Sequence, residues 1–487
     1  MKAKVSKKYI VLVAVLTAAS MISVMASCSG GSSKTESSAA SAAQSATQDE
    51  ATTAATSQNT AKKLAAGDIT VSETIENSAD GEHAITVDGE SKTYSSVAVN
   101  KTGEADGDEA DFYGENSAIF TTNGGTLDLS GAVIKTNGTH ANAVFSYGEG
   151  STVNVSDSYI ETSGNCSGRL MTTGGGTMNA KNLTINTSSN SSAAIRSDRG
   201  GGTVNVDGGY YTTSGKGSPV IYSTADITVS NAELTSTASQ GVVVEGKNSV
   251  TLNNVNLTAD NNTKNSDKSD WYQAVMIYQS MSGDAAQGKS SFAMNGGMLT
   301  NQNGDVFFVN NTVTDITLNN AAITNNGDGV FLRAAAAGWG NEGSNGGQVT
   351  LNAQNQTING DMIVDSVSNL NLYLKNSSSF TGSINPDGQA GEVYVEIEDG
   401  STWTLTSDAY ITSLTCGKGA INLNGHKLYV NGKQYTAGTA STGTAIEATV
   451  SSSGNGNGGT PPDGKPGDGD SGKPGEKPDG EPPAKPE

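Results

Sequence analysis

The strongest constraint on the fold is a short strand that returns every 23 to 26 residues. The segments around Leu127, Val153, Met178, Val204, Ile227 and Val250 are variants of one pattern, an apolar lead alternating with Thr, Asn or Ser; the leads are 26, 25, 26, 23 and 23 residues apart. A second strand follows each lead by seven residues, at Ile134, Ile160, Ile185, Tyr211, Leu234 and Leu257. A third closes each turn, as at Ile119, Val144, Ile195, Ile221 and Val243. Gly, Asn, Ser and Asp lie between them. Three strands per period, each of three to five residues and none with a helical period, describe a solenoid. No single rung can bury its inward residues alone, so rungs must stack about 4.8 Å apart and pair above and below.

The expected fold is therefore all-β, a right-handed parallel β-helix with three short strands per rung of about 25 residues. Roughly fourteen rungs would make a rod on the order of 65 Å long. A hydrophobic content of 34% suits a narrow coil better than a globular core. Repeating Asn and Thr are expected to form hydrogen-bonded ladders. Residues 67–117 lack the period and are expected to be an N-terminal cap; the coil is placed at 118–450, with a C-terminal cap after Leu423.

The flanks speak to location. Lys2, Lys4, Lys7 and Lys8 precede an apolar run over 10–25 that is signal-like in length and short for a membrane span. It ends in Met25-Ala26-Ser27-Cys28, which resembles a bacterial lipobox; Cys28 would be acylated after removal of residues 1–27. Residues 28–66, rich in Ser, Ala and Thr, read as a tether, and 451–487, rich in Gly, Pro, Asp and Lys, as a solvated tail. The implied place is the outer face of the membrane at the cell surface, held by the N-terminal lipid. The formal charge of -21 becomes -25 without the four signal lysines, which argues against nucleic acid as a partner. Cys166 and Cys416 lie many rungs apart and are expected to be free, packed thiols, since a disulfide needs Cα atoms within about 7 Å. The chain is expected to act as a monomer.

The runs at 141–150 (Ala-Asn-Ala-Val-Phe-Ser-Tyr-Gly-Glu-Gly), 194–202 and 243–249 resemble adhesin-like surface proteins of anaerobic bacteria, within the broad pectin-lyase-like β-helix group. The resemblance spans nearly the whole body. It implies the β-helix and a surface role, and it carries no catalytic residues.

The third-strand spacing breaks after Val243, and the extra residues form three inserts, 259–273, 279–290 and 333–347, on one edge of the rod. Insertions in repeat proteins collect on the binding face. They hold Trp271, Tyr272 and Trp339, which either stack on a sugar ring or fold back to cover the rod. If Ile119, Val144, Ile195 and Ile221 point inward, then Phe120, Phe145, Arg196 and Tyr222 form an outward column with Asp198 on the same face. That column is either a glycan-binding stripe or part of a salt-bridge ladder of Arg196, Asp198, Arg199 and Glu245. From Val242 onward the alternation blurs.

The expected function is non-catalytic binding of an extracellular polysaccharide or host or cell-wall glycan. The alternative is a surface polysaccharide lyase or glycoside hydrolase, with Arg196, Asp198, Arg199 and Glu245 as its weak acid–base set. No polygalacturonase-type carboxylate series, zinc cluster or Ser-His-Asp order stands out, and His83, His140 and His426 are scattered. No cofactor is expected. The one metal reading is a calcium site on the acidic loop of Asp106, Asp108 and Asp111, against a plain solvated loop.

Overall fold

A computed structural model of the protein describes residues 59–448 apart from Met281. The apolar run 10–25, Cys28, most of the tether and the tail at 451–487 lie outside the described residues.

The chain winds as a parallel β-helix with three stacks of strands. In the first stack, Leu127, Val153, Met178, Val204, Ile227, Val250, Phe292 and Ile316 follow one another in direct register. In the second, Ile134, Ile160, Ile185, Tyr211, Leu234 and Leu257 do the same. The third is an 11-stranded parallel sheet. Its inward column runs Ile119, Val144, Leu170, Ile195, Ile221, Val242, Val275, Phe307, Leu332. All three columns meet in one continuous apolar core. Each inward Ile, Leu or Val buried there contributes roughly 1.5–3 kcal/mol. The register settles the parity left open after Val242: Val242 and Val244 belong to this core, and Val243 faces out.

Two boundaries move. The coil starts well before residue 118, because Glu73–Asn77 pairs in parallel with Val97–Lys101, and Ile85–Asp88 with Ile119–Thr122. An excursion containing a short helix, α1 (Asp108–Phe112), stretches the distance from Ile85 to its partner Ile119 and hides the period. The end of the expected tether is also docked: Asn59 Nδ2 donates to Gly209 O at 2.9 Å, and Leu64 N to Thr184 Oγ1 at 2.8 Å. At the other end the coil closes on an antiparallel pair, Tyr429 with Gln434. Ile446 returns to the side of the rod, its N–H and C=O both bonded to the Asn371 amide at 2.8 and 2.9 Å.

Asn and Ser hold many of the sharp corners in the left-handed region, as at Asn182, Asn231 and Asn254 with φ near 52–54°. That conformation suits Asn better than most side chains. The expected Asn ladder also forms: Asn154 donates to Asp128 at 2.8 Å, Asn179 to Asn154 at 2.9 Å, and Asn205 to Asn179 at 3.0 Å. Neither Cys166 nor Cys416 is in a disulfide.

Where the second stack turns toward the third, backbones of neighbouring rungs touch. A Cβ added at Gly164 would fall on the carbonyl oxygen of Gly138, and one at Gly138 on that of Gly103. Relief would require spreading a hydrogen-bonded ladder. Gly164→Ala should therefore cost about 1–3 kcal/mol in a urea unfolding experiment; an unchanged midpoint would mean the rungs part there without cost.

Candidate functional site

The outward column of the third stack is Phe120, Phe145, Met171, Arg196, Tyr222, Val243, Met276, Phe308, Arg333. The parity expected for Phe120, Phe145, Arg196 and Tyr222 is thus the one found. An open stripe is not. In the first half, α1 and the turn after it lie over the column: Thr173 Oγ1 donates to Phe112 O at 2.7 Å, and the Arg199 guanidinium sits 3.7 Å from the Phe112 ring centre. Phe145 is 0% exposed, and Phe120 is half-buried with its ring 4.7 Å from His83. Apolar side chains projecting from a sheet recover their burial when an excursion folds over them.

The expected salt-bridge ladder breaks into separate units. Arg196 grips Asp198 through Nε and Nη2 at 3.2 and 2.8 Å. Arg199 turns to Asp284 at 2.8 Å and Asp108 at 3.0 Å. Glu245 meets no guanidinium among the described contacts; it accepts from the hydroxyls of Tyr222 and, at 2.9 Å, Tyr278. Its other oxygen, Oε1, is buried with no hydrogen bond. Burial, and then the Glu245 charge, push the Tyr222 and Tyr278 hydroxyls well above their usual range, so both remain donors. Burial pushes the Asp198 carboxyl up to about 6 against the pull of Arg196. The acidic loop does not close into an oxygen cage: Asp108 is taken by Arg199, while Asp111 and Asp106 turn to His140 at 2.8 and 3.7 Å.

Over the second half, two inserts close on the same face. Val243, Met276, Phe308 and Ala335 form a small apolar cluster outside the main core, with Tyr222, Trp271, Tyr278 and Trp339 packed on it. Trp271 lies 5.5 Å from Phe308 and under the Arg333 guanidinium at 4.7 Å. Trp339 meets the Tyr278 ring edge-on at 5.2 Å. The loops hold each other, Gly338 N donating to Lys268 O at 2.7 Å. Arg333 is fixed from below by fully buried Asp305, at 2.6 and 3.1 Å. Burial raises the Asp305 carboxyl to about 6, with Arg333 pulling it down.

Trp271, Tyr272 and Trp339 thus fold back on the rod and still line a cleft. With Tyr222, Gln240 and Gln273 they border a space of about 120 Å³ between the inserts. All three aromatics are half-buried, so each keeps part of its ring accessible. A larger trough of about 660 Å³ runs along the first stack past Asp128, Asn154, Asn179 and Asn205. It holds no aromatic platform, and its amides spend donors on one another along the ladder. For recognising a ring with one apolar face and several hydroxyls, the smaller cleft has the better chemistry.

Sequence reasoning missed Tyr278, Gln240 and Gln273. The two glutamines lack any period, and Tyr278 was hidden by the blurred alternation. No family model, curated protein or solved structure matches the chain.

Proposed function

We propose that the protein is a cell-surface, lipid-anchored binding protein for an extracellular polysaccharide or glycan, adhesin-like in the pectin-lyase-like sense, acting as a monomer through the cleft between the inserts. The observation that carries this reading is the convergence of Trp271, Tyr272 and Trp339 on one cleft edged by Gln240 and Gln273. Aromatic rings supply apolar area at low entropic cost, and side-chain amides supply donor–acceptor pairs for sugar hydroxyls. Binding without chemistry is favoured because the buried carboxylates beside the cleft hold the structure together: Arg333 grips Asp305, and Glu245 Oε2 accepts from two tyrosines.

The test uses the chain from Ser29 onward, without the lipidated cysteine, on a panel of plant, mucin and cell-wall glycans. Retention without new reducing ends or unsaturated products is expected. Product release would replace the proposal with the lyase or hydrolase alternative. Trp271→Ala and Trp339→Ala should each weaken retention by about 1–3 kcal/mol, with melting curves confirming an intact rod. Unchanged affinity in both would remove the cleft from consideration and direct attention to the polar trough.

A further inference from the structure

We propose that Asp111, His140 and Cys166 form a binding site for a zinc-class transition-metal ion that fastens the α1 excursion to the side of the β-helix. His140 and Cys166 occupy the same corner of successive rungs. His140 N donates to Asn165 O, Cys166 N to Asn190 O and Ser191 N to Lys216 O, each at 3.0 Å. All three residues have φ of 53–54°. Adjacent rungs are about 4.8 Å apart, so a shared corner sets an imidazole and a thiol side by side. Asp111, on α1, comes down on them. One ligand atom from each of the three lies within 4.8 Å of the others.

Two observations point to a ligand. The His140 side chain is 3% exposed, and its Nδ1 stands 2.8 Å from Asp111 Oδ1, yet that nitrogen makes no well-directed hydrogen bond. A buried imidazole nitrogen without a directed partner is costly unless something else takes its lone pair. Cys166 also occupies a left-handed corner that this chain mostly gives to Asn. Cysteine has no conformational advantage there, so its sulfur is the property to explain.

The donors choose the ion. A thiolate, an imidazole and a carboxylate suit zinc and its neighbours, not calcium, which takes six to eight oxygens. Zinc bonds of about 2.0–2.3 Å place donors roughly 3.3–3.8 Å apart, so edges as long as 4.8 Å must tighten while the 2.8 Å His140–Asp111 edge opens slightly. Rotation of Asp111 on its short helix can supply part of that. Two negative donors would neutralise a divalent ion, which a half-buried site requires. Arg196, the cation on the neighbouring rung, is occupied by Asp198 at 2.8 Å. A water can complete four-coordination. Binding releases the Cys166 thiol proton to solvent and adds its free energy to the folding of the excursion.

The test is titration of the chelator-treated chain, from Ser29 onward, with Zn²⁺ and separately with Co²⁺. One ion per chain, a raised melting temperature and a cobalt–thiolate charge-transfer band are expected. Cys166→Ser and His140→Asn keep residues that already serve at such corners. Each should lower affinity at least ~100-fold while the far-ultraviolet circular dichroism is retained. Cys416→Ser should leave the band intact. Absence of binding at micromolar metal, absence of a thiolate band, or affinity unchanged from the parent chain in either corner variant would overturn the site. Should a corner variant fail to fold, the band in the parent chain and in Cys416→Ser decides alone.

Discussion

Phe308→Ala should lower the unfolding free energy by about 3–5 kcal/mol and should also release the two inserts from the rod. Phe308 projects from the third stack away from the main core, yet it is 0% exposed. Trp271 at 5.5 Å, with Met276, Val243 and Ala335, closes over it. Its neighbour Phe307 faces the other way, between Phe292 at 5.6 Å and Phe331 at 5.5 Å. Truncating either ring leaves a cavity of similar size, so the two variants should lose comparable stability in guanidinium unfolding. They should differ in what loosens. Phe307→Ala weakens contacts between rungs. Phe308→Ala removes the floor on which Trp271 rests, so tryptophan emission should shift to the red under native conditions and amides in 260–272 should exchange faster. Trp403, fully buried and stacked on Phe380 at 5.6 Å, provides the unchanged part of the emission. A cost below about 1 kcal/mol for Phe308→Ala would mean the inserts do not press on the sheet, and the cleft would lose its standing as a preformed site.

The same pair of phenylalanines shows what was legible in the sequence. Where rungs repeat without interruption, period-two alternation placed Ile119, Val144, Ile195 and Ile221 inward, because a one-residue slip would put Arg196 in the core; it passed over Leu170, which fills the same column between Val144 and Ile195. The alternation failed at Val242-Val243-Val244 and Phe307-Phe308 because both faces of the sheet are buried there, and a strand covered on both sides carries no polar phase. The early rungs escaped notice for another reason. The α1 excursion lengthened the Ile85 to Ile119 period, although Ile85, Val87, Val97 and Val99 carry the same pattern. In the candidate site, the aromatics of the inserts were readable as loop tryptophans, whereas their support by Phe308 and Arg333 was not. His140 and Cys166 share a corner 26 residues apart, a period visible in the sequence once corners are aligned as well as strands.

Arg333 and Asp305 should make the stability of the insert-bearing half of the coil depend on pH in an unusual direction. The Asp305 carboxyl titrates at about 6 in the fold, raised chiefly by burial, against 3.8 as its ordinary value. Asp198 is likewise raised to about 6. A raised carboxyl means that the folded chain holds more protons than the unfolded one between pH 4 and 6. Unfolding free energy contributed by these groups is then greatest below about pH 4, falls as pH rises to about 6, and is flat above. Two pKa units correspond to roughly 3 kcal/mol, so each aspartate should add on the order of 2–3 kcal/mol to that fall. Relief of general negative repulsion acts in the same direction, so the comparison must be between variants: Asp305→Asn should remove about half of the site-specific slope seen in guanidinium unfolding across pH 4–6. Arg333→Ala provides the converse. It leaves a fully buried carboxylate without its guanidinium and should cost about 3–5 kcal/mol at pH 7. It also takes the guanidinium off the Trp271 ring, where it sits 4.7 Å from the centre. Because the arginine is what pulls Asp305 down, its loss lets the carboxyl keep a proton at higher pH, and the cost of Arg333→Ala should shrink by half or more at pH 4.5. A penalty equal at both pH values would show that Asp305 stays ionised without its partner, and the burial argument for its raised pKa would fail.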